Sequence, residues 1–319
     1  MGELPAHRSS PGVTDESSGS TDSPRRRRWT LGVAVGALLC VVAMFLPTDS
    51  PARVTFLLGS TVLAAGIFLA AILRMPRSVR VVWWGLWIYL ALTVVGDMVY
   101  DVYLYHYRQA PFPSLADFFY LASYVALICA LVILVRRRQA ARSRETWIDT
   151  AVMSLAAACV VATVVVVPIL NDASTQGFET AIALAYPLLD VVALSVLIRL
   201  LVDVKRVEPA LALLTASIVM TLTADLVFQS LAAQGLVEDA PAWVDVLFLS
   251  AAFLLAAAAT ARGATRLTYP SSALGRTKAR LVGLAIAALT APTLLTFSVW
   301  DEVGSGHDCW RWPRWPSSC

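Results

Sequence analysis

The sequence predicts an all-α polytopic integral membrane protein: a helical bundle of about nine transmembrane helices with a parallel internal repeat. Three observations predict this fold class: an apolar composition, nine long apolar runs, and basic residues confined to alternate gaps between those runs. The chain of 319 residues is 58% hydrophobic and 15% charged, whereas soluble domains are about 25% charged. This composition excludes a soluble globular core.

Each apolar run has about the ~20 residues that a helix needs to cross the hydrocarbon of a bilayer. The runs lie at 29–47, 53–73, 81–100, 114–135, 147–170, 178–202, 209–231, 242–261 and 281–299. Of the 25 Lys and Arg residues, 20 lie before the first run or in every second gap after it, and Arg199 lies in the last turn of the sixth run beside such a gap; the remaining four are Arg53, Arg108, Arg311 and Arg314. By the positive-inside rule, the N-terminus is cytoplasmic and the C-terminus, after nine crossings, is extracytoplasmic. We therefore expect a multi-pass protein of the plasma membrane.

Two segments flank the predicted transmembrane domain at 29–299. Residues 1–28 are rich in Ser, Pro, Gly and Asp and end in the basic cluster Arg25 to Arg28, so they predict a disordered cytoplasmic tail. The first run is long and lacks a small-residue cleavage pattern, so it should stay in the mature protein. Residues 300–319 predict a short Trp-rich outer tail, since Trp favours the membrane interface.

An internal repeat relates the third and fourth runs, about 81–135, to the seventh and eighth, about 209–262, at an offset of 128 residues. The two aligned stretches are Gly96 to Tyr100 with Ala224 to Phe228, and Asp117 to Leu121 with Asp245 to Leu249. Four crossings separate the copies, so the repeats are parallel rather than inverted. Each copy predicts an outer hairpin with one Asp near the end of its first helix and another at the start of its second.

The aspartates of these hairpins are candidate ligand- or proton-sensing residues, because an ionisable group within a span is a functional-site hypothesis by default. Asp97 and Asp225 lie near the C-terminal ends of their spans, where the helix dipole disfavours a carboxylate. Asp117 and Asp245 lie at helix starts, and Ser114 with Asp117 forms a capping box, which also fits a purely structural role. Each pair, Asp97 with Asp117 and Asp225 with Asp245, should lie at one depth and can share a proton.

Further candidates surround these pairs. Tyr100, Tyr120 and Tyr124 can donate hydrogen bonds in the first copy, and the second copy lacks their hydroxyl groups, so the first copy is the more polar site. Asp190 is the most deeply placed acid, and Pro187 should kink its helix. A polar pocket at this kink and a simple interior hydrogen bond to a neighbouring Ser or Thr both fit Asp190.

The residues that carry a family resemblance are Gly96-Asp97, Pro113-Ser114-Leu115-Ala116-Asp117, Tyr120-Leu121, Tyr124 and Tyr186-Pro187-Leu188-Leu189-Asp190. Together they resemble the multi-span sensory region at the N-terminus of actinobacterial GGDEF/EAL proteins, which make or degrade cyclic di-GMP. The resemblance covers roughly 29–299 and implies a membrane input module that signals to cytoplasmic PAS, GGDEF or EAL domains. This sequence contains no GGDEF-like or EAL-like segment, so no catalytic residue is carried over and the chain is not expected to be an enzyme.

The predicted function is therefore a membrane-embedded signal-input module, related to cyclic di-GMP signalling proteins, with no output domain of its own. Two alternatives remain open: a small-solute or proton-coupled transporter, and a structural or interaction membrane protein. We expect no cofactor and no metal site. The expected partners are membrane lipids, a separate cytoplasmic signalling protein and a second copy of the chain. Nucleic acid is not expected, because the net charge of +3 is concentrated beside the anionic inner leaflet.

Overall fold

The structure, a computed structural model, is all-helical throughout the part of the chain that it describes. The described residues are 23–47, 50–107, 111–138, 144–171, 177–202, 207–232 and 241–269. The main helices are α1 (Ser23–Phe45), α2 (Pro51–Leu73), α3 (Arg80–His106), α4 (Leu115–Arg138), α5 (Arg144–Val161), α6 (Val167–Asn171), α7 (Phe178–Val202), α8 (Pro209–Ala232) and α9 (Ala242–Thr260). A π-helical turn, Ala162–Val166, joins α5 to α6, and a 3-10 turn, Arg266–Thr268, follows α9.

Six of these helices are long and apolar enough to cross a membrane. They are Pro51–Leu73, Arg80–Leu104, Leu115–Arg138, Phe178–Leu201, Pro209–Ala232 and Ala242–Thr260, and the segments Trp29–Phe45 and Ala151–Val161 are shorter apolar helices. The all-α membrane bundle is thereby confirmed, and helices occupy the first eight of the nine predicted runs. The ninth run, at 281–299, lies outside the described residues, as do the tail 300–319 and most of the tail 1–28. Nine spans therefore remain a prediction.

Helix starts follow the capping chemistry of the sequence. The Ser50 Oγ accepts a hydrogen bond from the Arg53 backbone N–H at 3.2 Å, and Pro51 fills the first position of α2, where a missing N–H is harmless. The predicted capping box at α4 is confirmed: the Ser114 backbone N–H donates to Asp117 Oδ2 at 2.6 Å, while the Ala116 N–H donates to the Ser114 hydroxyl at 3.2 Å. These side chains satisfy backbone groups that a helix start leaves unpaired.

The two aspartate hairpins have different surroundings in the bundle. Helix α3 packs on α4 and α8 packs on α9, so each stretch of the predicted repeat is a helical hairpin. Helix α9 also packs on α1 and α2, whereas α4 packs on α7, which in turn meets α5 and α8. Small residues permit two of the close approaches, as Gly36 lies against Phe253 and Gly85 against Ala130. The equivalence of the two copies remains a prediction.

Candidate functional site

Four helices, α3, α4, α7 and α8, bring polar side chains together between the middle of the bundle and the end where α4 and α7 begin. At the centre is a group of four residues from three helices, here called the Tyr124 cluster: Tyr124 of α4, Asp190 of α7, and Asp225 and Gln229 of α8. Asp97 and Tyr120, on the α3–α4 hairpin, form a second polar contact close to it. Asp117 and Tyr186 form a third, between α4 and α7.

The Tyr124 hydroxyl is the junction of the cluster. Its oxygen lies within hydrogen-bonding distance of Asp190 Oδ1 and, at 2.6 Å, of Asp225 Oδ2. Tyr124 is 5% exposed and Asp190 is 6% exposed, so water does not replace these contacts. One hydroxyl group therefore holds three helices together.

Gln229 completes the cluster from α8. It lies four residues after Asp225, and this spacing places the two side chains on the same face of the helix. Its Nε2 donates to Asp190 Oδ2 at 2.8 Å, while its Oε1 is buried with no hydrogen-bond partner among the described residues. Gln229 is not among the residues predicted from the sequence, although its spacing from Asp225 is a usable signal.

Asp190 reaches the cluster from deep within α7. It lies twelve residues after Phe178, which begins the helix, so it is ~18 Å along the axis at 1.5 Å per residue. Helix α7 continues through the buried Pro187, which has no N–H to offer the Ala183 carbonyl. Two donors, Tyr124 and Gln229, satisfy both carboxylate oxygens of Asp190. Asp190 is thus held by interior hydrogen bonds, but its donors are a tyrosine and a glutamine and not the Ser or Thr that the simpler interpretation expects.

Asp97 is bound within the first hairpin. The Tyr120 hydroxyl donates to Asp97 Oδ1 at 2.9 Å, as the candidate donor role of Tyr120 predicts. The neighbouring Gly96 makes this contact possible, because a Cβ at position 96 would lie 2.6 Å from Tyr120 Cε1. The aligned second-copy residues are Ala224 and Phe248, so the second hairpin can form no such bond.

Replacing Gly96 with Ala is expected to lower the free energy of unfolding by about 1–3 kcal/mol, the usual cost of overpacking. Alanine favours a helix over glycine by ~1 kcal/mol. A lower free energy of unfolding in Gly96→Ala would therefore be due to the steric contact with Tyr120. Gly66→Ala in α2 is the matched control, because a Cβ there meets nothing within 4 Å. Thermal unfolding in detergent measures both variants. A Gly96→Ala protein as stable as the control would contradict the close approach.

Asp117 both caps α4 and joins it to α7. It accepts hydrogen bonds from the Ser114 hydroxyl at 2.9 Å and from the Tyr186 hydroxyl at 2.6 Å. Asp97 and Asp117 thus have different donors, and the expectation that these two carboxyl groups share a proton is not met. Tyr100, one turn beyond Asp97, is partly buried, and its role as a donor remains a prediction.

The predicted pairing in the second hairpin is also corrected. Asp225 faces Tyr124 and Asp190, whereas Asp245 forms an ion pair with Arg53, with 2.8 Å between Nη2 and Oδ2. The two carboxylates lie on helices that pack together, but they point to different neighbours. Depth alone does not determine which face of a helix a side chain occupies.

Arg53 is the most buried charged residue of the described chain, at 2% exposure. Its guanidinium donates to the backbone carbonyls of Ala43 and Leu46 at the end of α1 and, at 3.0 Å, to the Ala242 carbonyl. The end of a helix carries partial negative charge, so a cation there is favourable. In the sequence, Arg53 is one of the four basic residues assigned to the outer side. Its position in the first turn of an apolar run is, however, a signal of burial.

The chemistry available to the Tyr124 cluster is that of hydrogen-bond acceptors without a cation. Within the described ranges, no Arg or Lys contacts Asp190 or Asp225. The same ranges contain no group of three His, Cys, Asp or Glu side chains arranged to hold a metal ion. Deeper in the bundle, the Tyr89 and Thr221 hydroxyl groups join α3 to α8 at 3.3 Å. The cluster is thus suited to binding a proton or a ligand that donates hydrogen bonds.

No protein-family model, no curated protein and no solved structure matches this chain, so the geometry of these buried acids is the ground on which a function can be proposed.

Proposed function

We propose that this protein is a membrane-embedded signal-input module whose receiving site is the Tyr124 cluster. The observation that carries the proposal is the meeting of Asp190 and Asp225 at one tyrosine hydroxyl between three helices. Acids within a span are costly, by ~2.5–3.5 kcal/mol each on the insertion scale, and they usually serve a function. Any change in the charge or occupancy of this junction alters the contacts of α4, α7 and α8 together.

Helix α4 supplies a route from the cluster to the opposite end of the bundle. Arg136, twelve residues after Tyr124 on the same helix, lies ~18 Å away along the axis. At that end the Arg137 guanidinium donates to the Ser78 carbonyl at 2.9 Å, and Arg138 donates to the Leu267 carbonyl at 3.4 Å. A small shift of α4 as a unit would change both contacts, and such helix shifts are a known means of transmitting a signal.

The resemblance to sensory regions of cyclic di-GMP proteins supports the input role and suggests the kind of output. In this proposal, the output is a cytoplasmic signalling partner that contacts the basic end of α4. A signal can act in this way only if it binds two arrangements of the helices with different affinity.

A distance measurement across the basic end tests the proposal. Spin labels at Arg136→Cys and Tyr269→Cys, in a chain whose five native cysteines are replaced by Ser, report the position of α4 relative to the segment after α9. We expect Tyr124→Phe to shift or broaden the distance distribution. Tyr103→Phe, which removes a hydroxyl group elsewhere on α3, should leave it unchanged. Identical distributions in all three proteins would show that the cluster is only a structural link.

The orientation of the site is a separate prediction. The alternation of basic residues places the loop before α4 outside the cell and the loop between α2 and α3 in the cytoplasm. In the same cysteine-free chain, Phe112→Cys should react with a membrane-impermeant maleimide in intact cells, and Ser78→Cys only after permeabilisation. Both side chains are exposed. The reverse pattern would place the Tyr124 cluster near the cytoplasmic face.

A proton-coupled transporter is the second candidate, favoured by the irregular helices beside the cluster. Helix α7 contains Pro187, and the π-helical turn Ala162–Val166 packs on α7 and α8. Transporters place their sites at such interruptions. Dissipation of a pH gradient across proteoliposomes by the parent, but not by Asp190→Asn, would favour transport over sensing.

A further inference from the structure

We propose that Asp190, Tyr124 and Asp225 together bind one exchangeable proton, held by Asp225. This inference rests on the proposed function and names the ligand of the same site. A tyrosine hydroxyl carries one hydrogen, and at this junction its oxygen approaches two carboxylate groups at once. That hydrogen can bond to one of them. The second close approach needs a hydrogen of its own, and a protonated carboxyl group provides it.

The direction of the hydrogen bonds places this proton. Gln229 Nε2 already donates to Asp190 Oδ2, so Asp190 is an acceptor on that oxygen. If Tyr124 donates to Asp190 Oδ1, both oxygens of Asp190 have donors, and Asp190 is the ionised member. The Tyr124 oxygen is then free to accept from a protonated Asp225 Oδ2. The resulting chain runs from Asp225 through Tyr124 to Asp190, and every hydrogen in it has one acceptor.

Among the described residues, no cation lies beside the pair. Tyr89 and Asp97 of α3 are the titratable groups of that helix within electrostatic reach of Asp225 or Asp190, and Asp97 already accepts from Tyr120. Tyr186 of α7 donates to Asp117, and Asp245 of α9 is paired with Arg53. The described side chains of α5, which packs on α7, are uncharged. Within the part of the chain that the structure describes, a proton is therefore the positive charge available to this site.

Binding and release change the site in a defined way. On release, the proton leaves the Asp225 carboxyl group for water at the mouth of the bundle, and the charge of the pair changes from −1 to −2. Two carboxylates then face one hydroxyl group, and their repulsion is strong in a medium of low dielectric constant. Separation of α8 from α4 and α7 relieves that repulsion. Proton occupancy thereby selects between two arrangements of these helices.

Infrared difference spectroscopy of the full chain in liposomes, recorded between low and high pH, tests the proton site. A protonated carboxyl group has a C=O stretching band that the carboxylate lacks. As pH rises, the parent should lose a carboxyl band that Asp225→Asn lacks and whose frequency Tyr124→Phe shifts. Glu179→Gln, a control in the first turn of α7 outside the cluster, should retain this band unchanged. A parent without the band, or a band removed by Asp190→Asn but retained in Asp225→Asn, overturns the proposal.

The spin-label pair at positions 136 and 269 separates this inference from the proposed function. If the Asp225 band titrates while the distances stay constant, the proton site stands and the sensory role falls. If the distances respond to Tyr124→Phe and no Asp225 band exists, the sensory role stands and the proton is not its ligand. Because Tyr124→Phe retains both acids, it gives a result even if Asp225→Asn fails to fold.

Discussion

Asp245→Asn is expected to lower the free energy of unfolding by roughly 2–3 kcal/mol, because it leaves the buried Arg53 guanidinium without its counter-charge. Breaking a fully buried ion pair costs ~3–5 kcal/mol. Arg53 is 2% exposed but Asp245 is 48% exposed, and solvent at the carboxylate reduces the loss. Unfolding in detergent, followed by circular dichroism, measures the change. Glu179→Gln, which removes a partly buried carboxylate in the first turn of α7, is the control.

The double variant Arg53→Met/Asp245→Asn should be more stable than Asp245→Asn alone, since removing both partners leaves no uncompensated charge. The double variant should still be less stable than the parent, because the carbonyls of Ala43, Leu46 and Ala242 lose their hydrogen-bond donor. A double-mutant cycle gives the coupling energy directly. If Asp245→Asn is as stable as Glu179→Gln, the ion pair contributes nothing to the fold.

Tyr124→Phe is expected to cost about 2–3 kcal/mol, because a hydrogen bond to a buried charged group contributes ~1.5–3 kcal/mol. The substitution keeps the ring and its packing and removes only the shared hydroxyl group. Tyr120→Phe should cost less, since it removes one hydrogen bond to the less buried Asp97. Tyr103→Phe should have little effect. Equal unfolding temperatures for the three variants would contradict the central position of Tyr124.

The features that were predicted correctly from the sequence depend on the order of residues within one segment of the chain. Hydropathy located the helices, and the Ser114–Asp117 spacing predicted a cap that the structure contains. Counting residues along a run likewise placed Asp190 deep in its helix. Each of these properties is determined within a single segment, so no knowledge of neighbouring helices was needed.

The partners of the buried acids depend on the faces that helices present to each other. In a soluble helix, an apolar stripe marks the inward face, but α7 and α8 are apolar on nearly all sides, so their sequences carry no such mark. Asp225 could thus be assigned a depth and not a partner, and Asp245 was paired with it rather than with Arg53. The meeting of Asp190 with Tyr124 depends on α7 packing against α4, a contact that hydropathy does not encode.

The Arg53–Asp245 contact also determines an order of events during biogenesis. Its two residues are 192 positions apart, and ribosomes add about 5–20 residues per second, so Arg53 emerges roughly 10–40 seconds before its acid. During that interval the guanidinium can bond to the Ala43 and Leu46 carbonyls at the end of α1 and extend toward water, but it has no counter-charge. We therefore expect the packing of α1 and α2 against α9 to be a late step of assembly.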